Sequence, residues 1–314
     1  WNVARWTLNF FRPTPAFRKA KLKIISILKH FKNLPHQSWK HTPTHSESNH
    51  QKLIQYNLSV NNKFEHIQSA HCENGASAVL FHNKGIHISE PMIFGIGSGL
   101  FFAHMPFMKL NGMPVTGFRP LPGMIFSRAS KRLGIKMKKV RFRNPDKAME
   151  ALDKNLAQGI PTGCVVGVFH LTYFPAPYRV HFNAHNLVVF GKEGNDYLIS
   201  DPIMSEFTTL SRRDLMRVRF AQGTAPPRGK MYWPVHIPER IDIKRAIIGG
   251  IKKTCYDMLN IPLKYFGVKG IRFLASEIRK WPKRMDSRKA AQYLGQVVRM
   301  QEEIGTGGAG FRFI

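Results

Sequence analysis

Acidic residues are scarce in this chain: 19 Asp and Glu stand against 48 Lys and Arg in 314 residues, a formal net charge of +29. A surface so basic draws acidic proteins, phosphate groups and nucleic acid toward it. Cysteine is rarer still. Cys72, Cys164 and Cys255 lie far apart and without metal-ligand spacing, which excludes a disulfide scaffold and a zinc knuckle. Long apolar runs are missing too. Lys, Arg or Pro breaks every stretch before the ~18–20 residues that a bilayer crossing needs, so a soluble, cytoplasmic chain is expected, or at most a surface-bound one. No nucleic-acid module appears. Neither Gly95-Ile96-Gly97-Ser98-Gly99 nor Gly305-Thr306-Gly307-Gly308 is followed by Gly-Lys-Ser/Thr, so both are read as turns rather than phosphate loops.

Hydrophobic residues make up 43% of the chain, enough for a sizeable core in one large or two moderate domains. Residues 1–50 hold nine Lys or Arg and one acid, Glu47. Within them Phe17, Leu22, Ile25, Leu28 and Phe31 alternate with lysines in a basic amphipathic helix pattern. The His-rich stretch His41 to Ser46 reads as a linker, so residues 1–55 are taken as a basic extension. A secretory signal is disfavoured, because lysines interrupt its apolar region. The chain opens on Trp1, closes on Phe313-Ile314 and reads as clipped at both ends.

Residues 56–240 alternate helical and strand signals. Ser69 is expected to cap a helix with a buried stripe of Ala76, Val79 and Leu80, ending near Gly85. Ser89-Glu90-Pro91 reads as a second helix start, with Glu90 a helix-start carboxylate. Asn144 caps, Pro145 opens and Gly159 closes a third. Cys164–Phe169, Leu187–Phe190 and Tyr197–Ile199 read as strands, the last two forming a hairpin across the turn-rich 191–196. Beyond Ile241, Ile243–Leu259, Val268–Arg279 and Ser287–Glu303 show helical spacing, so 241–314 is read as a small, truncated helical domain.

Cys72 falls in the first turn of a helix, where the positive dipole end favours thiolate, the nucleophilic form. More than a hundred residues later, His185 sits at the mouth of a strand. Its antiparallel partner ends at Asp201, which places the carboxylate within reach of the imidazole. Asp201 would fix the ring's tautomer, leaving its other nitrogen to deprotonate Cys72. A nucleophile on a leading helix, with base and acid on a hairpin, is the papain-like order. Gln68 is the candidate for a side-chain oxyanion donor beside the Cys72 N–H, at a spacing shorter than papain's. His71 and His181 are weaker candidates for catalysis.

The stretch HCENGASAVLFHNKGIHISEPMIFGIG, residues 71–97, resembles the N-terminal family named for butirosin-biosynthesis protein H, in which His-Cys-Glu opens a helix and a Ser-Glu pair precedes a Gly-rich segment. Tyr178-Arg179-Val180-His181 through His185 to Asp201-Pro202 is similar to the family's later block. Residues 241–314 resemble the helical domain that commonly follows, best at Glu302-Glu303-Ile304-Gly305-Thr306-Gly307-Gly308 with Phe311-Arg312. The resemblance covers roughly residues 60–314. It implies a papain-like fold and an acyltransferase of antibiotic or secondary-metabolite biosynthesis, moving an acyl group from a carrier-protein thioester to an amine. Cys72 would be the nucleophile, His185 the base and Asp201 its orienting partner. One departure stands out: His170 occupies a place where related sequences often carry an acid.

The expectation is an α+β, papain-like cysteine enzyme with a small C-terminal helical domain. Its partners would be an acyl carrier protein or other thioester donor and a small amine acceptor, with no cofactor and no metal. A peptidase or amidase of the same fold is the runner-up. A non-catalytic basic protein binding nucleic acid or an anionic membrane surface is the rival from another class.

Overall fold

The computed structural model describes residues 64–110, 112–302 and 310–311, all within the unit Asn61–Ile314. The basic helix pattern at 17–31, the linker at 41–46 and the glycine run at 305–308 lie outside the described residues. In chain order the elements are α1 (Cys72–His82), α2 (Glu90–Ile96), β1 (Ala103–Leu110), β2 (Met113–Gly117), α3 (Met124–Arg132), β3 (Lys136–Val140) and α4 (Pro145–Ala157). There follow β4 (Thr162–Val166), a 3-10 turn (Ala176–Tyr178), β5 (His185–Glu193), β6 (Asp196–Ser200), β7 (Thr208–Ser211), α5 (Arg212–Arg219) and β8 (Met231–His236). Three helices close the chain: α6 (Ile243–Leu259), α7 (Gly267–Arg284) and α8 (Ser287–Glu302).

Six strands form one antiparallel sheet in the order β3-β8-β4-β5-β6-β7, and β1 and β2 form a separate hairpin. Helices cover both faces of the sheet. Along β5, Leu187 and Val189 join Met149 and Leu152 of α4 and Leu215 and Val218 of α5 in one cluster. Val188, between them, joins Val79 and Leu80 of α1 in another. That alternation is the period of two a strand imposes, and with both faces covered every residue from His185 to Gly191 is buried. This is why β5 reads as a continuous apolar run.

The β5–β6 hairpin turns at Gly194-Asn195, where Gly194 has φ +55°, a conformation that favours glycine. Val188 pairs with Ser200, so the extended register sets Asp201 opposite Leu187, two residues along from His185. α4 has the expected boundaries, with the Asn144 side chain accepting from the Lys147 N–H at 3.0 Å.

α1 differs from expectation. Its N-cap is His71 and not Ser69, and every residue from Cys72 to Phe81 is buried. A helix wedged between a sheet and two other helices has no solvent face, so no single stripe marks it. α6 crosses α2 closely: a Cβ on Gly250 would lie 2.4 Å from the Gly95 carbonyl oxygen, and Ser98 Oγ donates to Gly250 O at 3.0 Å. α7 and α8 close over the β1–β2 hairpin: Leu274 and Trp281 of α7, with Tyr293 and Leu294 of α8, cluster with Phe102 and Phe118, which flank the hairpin.

β1, β2, β3, β7 and β8 are not among the strands that the sequence pattern predicts. Lys136-Met137-Lys138-Lys139-Val140 forms an edge strand whose lysines mask a weak apolar alternation, and Pro234 interrupts the strand signal of β8.

Candidate active site

Cys72 is the first residue of α1, so the helix directs its free N–H groups and positive dipole end at the sulfur. The residue is 8% exposed. Burial pushes its thiol up, but the charge and hydrogen bond of His185, the Arg119 guanidinium and the Asn186 N–H outweigh burial. The net value lies below that of a free thiol.

His185 opens β5, and its Nε2 lies 2.7 Å from Asp201 Oδ2. A carboxylate only accepts, so Nε2–H donates and Nδ1 is left for Cys72, with which the ring is hydrogen-bonded. Burial opposes the charged ring, yet Asp201 and Cys72 together raise it to about 10. Each group thus favours the charged form of the other, thiolate for Cys72 and imidazolium for His185.

Tyr173 donates to the same Asp201 oxygen at 2.7 Å, and the Ile203 N–H lies 3.3 Å from Oδ1. Burial and the adjacent carboxylate hold the Tyr173 phenol well above its usual value, which keeps it a donor. Phe174 stands edge-on to the imidazole, 5.5 Å between ring centres.

Three contacts hold α1 against the Asp201 turn. His66 bridges Ser200 Oγ (2.8 Å) and the Met204 carbonyl (3.0 Å), and the Ser69 N–H donates to Pro202 O at 2.6 Å. Gly75 is the third: a Cβ there would sit 2.5 Å from Pro202 Cβ and 2.6 Å from Ser69 Cβ. The turn can approach the helix only because that side chain is absent.

Arg119, from the loop between β2 and α3, binds the residues on either side of Cys72, His71 through Nε2 and Glu73 through Oε2. The Asn74 N–H donates to His71 Nδ1 at 3.4 Å, the capping contact of α1. Burial first, then Arg119 and His185, hold His71 well below its usual value. It serves as a fixed neutral acceptor. Glu73, 1% exposed, also accepts from the Gly123 and Phe126 N–H groups at the start of α3 (3.0 and 3.1 Å). Glu90 accepts from the Ala70 and His71 N–H groups at 2.8 and 2.7 Å, which fixes the chain entering α1. Buried Phe311 stacks on Phe94 and meets the His71 ring edge-on at 5.1 Å.

The structure thus brings Cys72, His185 and Asp201 together. Gln68 is exposed on the segment leading into α1 and shows no hydrogen bond among the described residues. His181 is exposed and stacks on Phe169 at 4.0 Å. His170 lies after β4, where burial, Arg217 and His181 lower its affinity for protons and Asp214 raises it. Neither belongs to the triad. Among the described residues no cluster of His, Cys, Asp or Glu side chains suits a metal ion, and no helix is long and apolar enough to cross a membrane.

Residues 71–202 match the family described as butirosin biosynthesis protein H, N-terminal. The chain carries that domain. Residues 213–314 match a second family, the domain of unknown function DUF4872. The match to the butirosin-H domain runs from the residue before Cys72 to the residue after Asp201. No curated protein matches the chain. Among solved structures it is similar to a C39-like peptidase from Bacillus anthracis, with 14% identity, TM-score 0.39, and coverage of 57% of this chain and 98% of that one. It is also similar to the peptidase domain of Streptococcus ComA, described as a bi-functional ABC transporter involved in a quorum-sensing pathway, with 16% identity, TM-score 0.35, and coverage of 56% and 99%.

The leading helix with its cysteine, followed by an antiparallel sheet bearing histidine and aspartate, is the architecture of a papain-like cysteine enzyme. Sequence reasoning missed Tyr173, Arg119 and Asn186. Each comes from a loop or strand end whose position only the tertiary fold determines, and no local pattern marks it.

Proposed function

We propose that the chain is an acyltransferase that carries an acyl group from a thioester to an amine through an acyl-Cys72 intermediate. The observation that carries this reading is the triad: a thiol held below its usual value beside a buried imidazole raised to about 10 by Asp201. The Cys72 thiolate attacks the thioester carbonyl, the donor's C–S bond breaks, and the His185 imidazolium gives its proton to the departing thiolate. The backbone N–H of Cys72, at the open end of α1, faces the developing oxyanion, with the Gln68 amide the candidate second donor. In the second half the amine attacks the acyl-cysteine carbonyl, neutral His185 takes the amine proton, and the Cys72 thiolate departs.

The butirosin-H domain supports the choice of thioester and amine. The net charge of +29 supports an acidic carrier protein as donor, since opposite charge speeds encounter. Intact-mass measurement after mixing with acyl thioesters of a carrier protein and of N-acetylcysteamine tests the first step: an adduct of the acyl mass is expected, absent in Cys72→Ser. Adding amines then tests the second step. Amide product supports transfer. Free acid at an unchanged rate, whatever amine is present, would make the enzyme a hydrolase.

A further inference from the structure

A cavity of about 340 Å³ is lined by Glu73, the residue after Cys72, and by Ala184 and Asn186, the residues before and after His185 in the chain. Phe126, Val165 and Tyr232 give it apolar walls. Two lysines from separate parts of the fold also line it, Lys139 of β3 and Lys230 just before β8. Lys139 Nζ donates to Ser127 Oγ at 2.5 Å and lies 4.9 Å from the Phe126 ring centre. Lys230 Nζ comes within 3.5 Å of where a Cβ would stand on Gly123.

Among the described residues, neither ammonium has a carboxylate partner within 4.0 Å. The other charged groups lining the cavity are already engaged. Glu73 is held by Arg119 and two backbone N–H groups, and Arg128 pairs with Asp257 at 3.4 Å. Burial, and then the charge of Lys230, depress Lys139 below the usual lysine range against the opposing pull of the Glu73 carboxylate. An anion between them would relieve that repulsion.

We propose that this cavity is a subsite for an oxyanion group, phosphate or carboxylate, borne by the molecule whose carbonyl reaches Cys72. The identity of the reacting atom rests on the acyl-enzyme reading above; the anion site rests on the cavity and its two lysines. The apolar walls accept the carbon chain between the charged group and the carbonyl.

The test follows alkylation of Cys72 by iodoacetamide in the full chain at fixed ionic strength, with inorganic phosphate or succinate added. Saturable protection is expected, by phosphate if the natural group is a phosphoryl and by succinate if it is a carboxylate. In the double variant Lys139→Gln/Lys230→Gln the half-protecting concentration rises about tenfold or more, the scale of losing charge-assisted hydrogen bonds. Lys139→Arg, which keeps the charge, retains protection and guards against a folding artefact. No protection by either anion, or an unchanged half-protecting concentration in the double variant, overturns the subsite. A second arm compares succinyl and propionyl thioesters of N-acetylcysteamine as acylating agents. Failure of every thioester to acylate Cys72, with lysine-dependent protection intact, overturns the acyl-enzyme reading and leaves the anion subsite standing.

Discussion

His185 Nε2 and Asp201 Oδ2 lie 2.7 Å apart, joining side chains that are 4% and 0% exposed. With water excluded, the carboxylate both orients the ring and sustains its charge. Asp201→Asn keeps the shape and removes the charge. Single-turnover acylation of Cys72 should fall about 100-fold or more, the scale of losing a positioned acid–base group. Alkylation of Cys72 at pH 6 should slow as well, because a neutral imidazole no longer holds the thiolate.

The same contact fixes a pH dependence of stability. Free imidazole titrates near 6.5, and in the fold His185 is raised to about 10. The folded state thus binds more protons between those values, and the stability from the charged ring is full below about 6.5 and lost as pH rises toward 10. Cys72 shifts the other way: its contribution is present above the free-thiol value of 9.0 and lost as pH falls through its lowered value. Urea unfolding of wild type and Asp201→Asn at pH 6, 8 and 10 should show the largest gap at pH 6 and the smallest at pH 10. A gap that widens with pH would contradict the assignment.

Gly75 offers a test with an unusual sign. In a helix interior Gly→Ala normally gains about 0.5–1 kcal/mol. Here the new methyl meets Pro202 and Ser69 at 2.5 and 2.6 Å, so Gly75→Ala should instead cost about 1–3 kcal/mol. Pushing α1 from the Asp201 turn should also slow Cys72 alkylation. Both effects are measured on the same sample by urea midpoints and labelling rates.

Glu73 is a structural anchor rather than a proton carrier. Glu73→Gln strips the buried countercharge from Arg119 and should destabilise by about 3 kcal/mol, read from chemical denaturation. Thioester acylation at saturating donor should fall far less than in Asp201→Asn, because His185 and its partner are untouched.

The helix bearing Cys72 and the hairpin bearing His185 and Asp201 were legible because each is local. A cysteine at a helix start and an antiparallel turn are written in a few consecutive residues. The hairpin's register then did the rest, since pairing Val188 with Ser200 leaves Asp201 near His185. The true cap of α1 was not legible. Ser69 is a better capping residue by type, but its N–H is drawn off to Pro202, a contact 133 positions away in the chain. Arg119 was hidden for a related reason: nothing in a proline-rich loop shows that its guanidinium joins His71 to Glu73. β3 was hidden by composition, because an edge strand covered on one side tolerates lysines that erase the apolar pattern.

Those lysines have a second consequence. Among the described residues β3 is an outer strand of the sheet, and such a rim is where identical chains tend to stick together. Lys136, Lys138 and Lys139 surround it with positive charge, so two copies approaching rim to rim repel before their backbones can zip. The charge that masks this segment's strand pattern is the same charge that opposes pairing of a further strand along the rim.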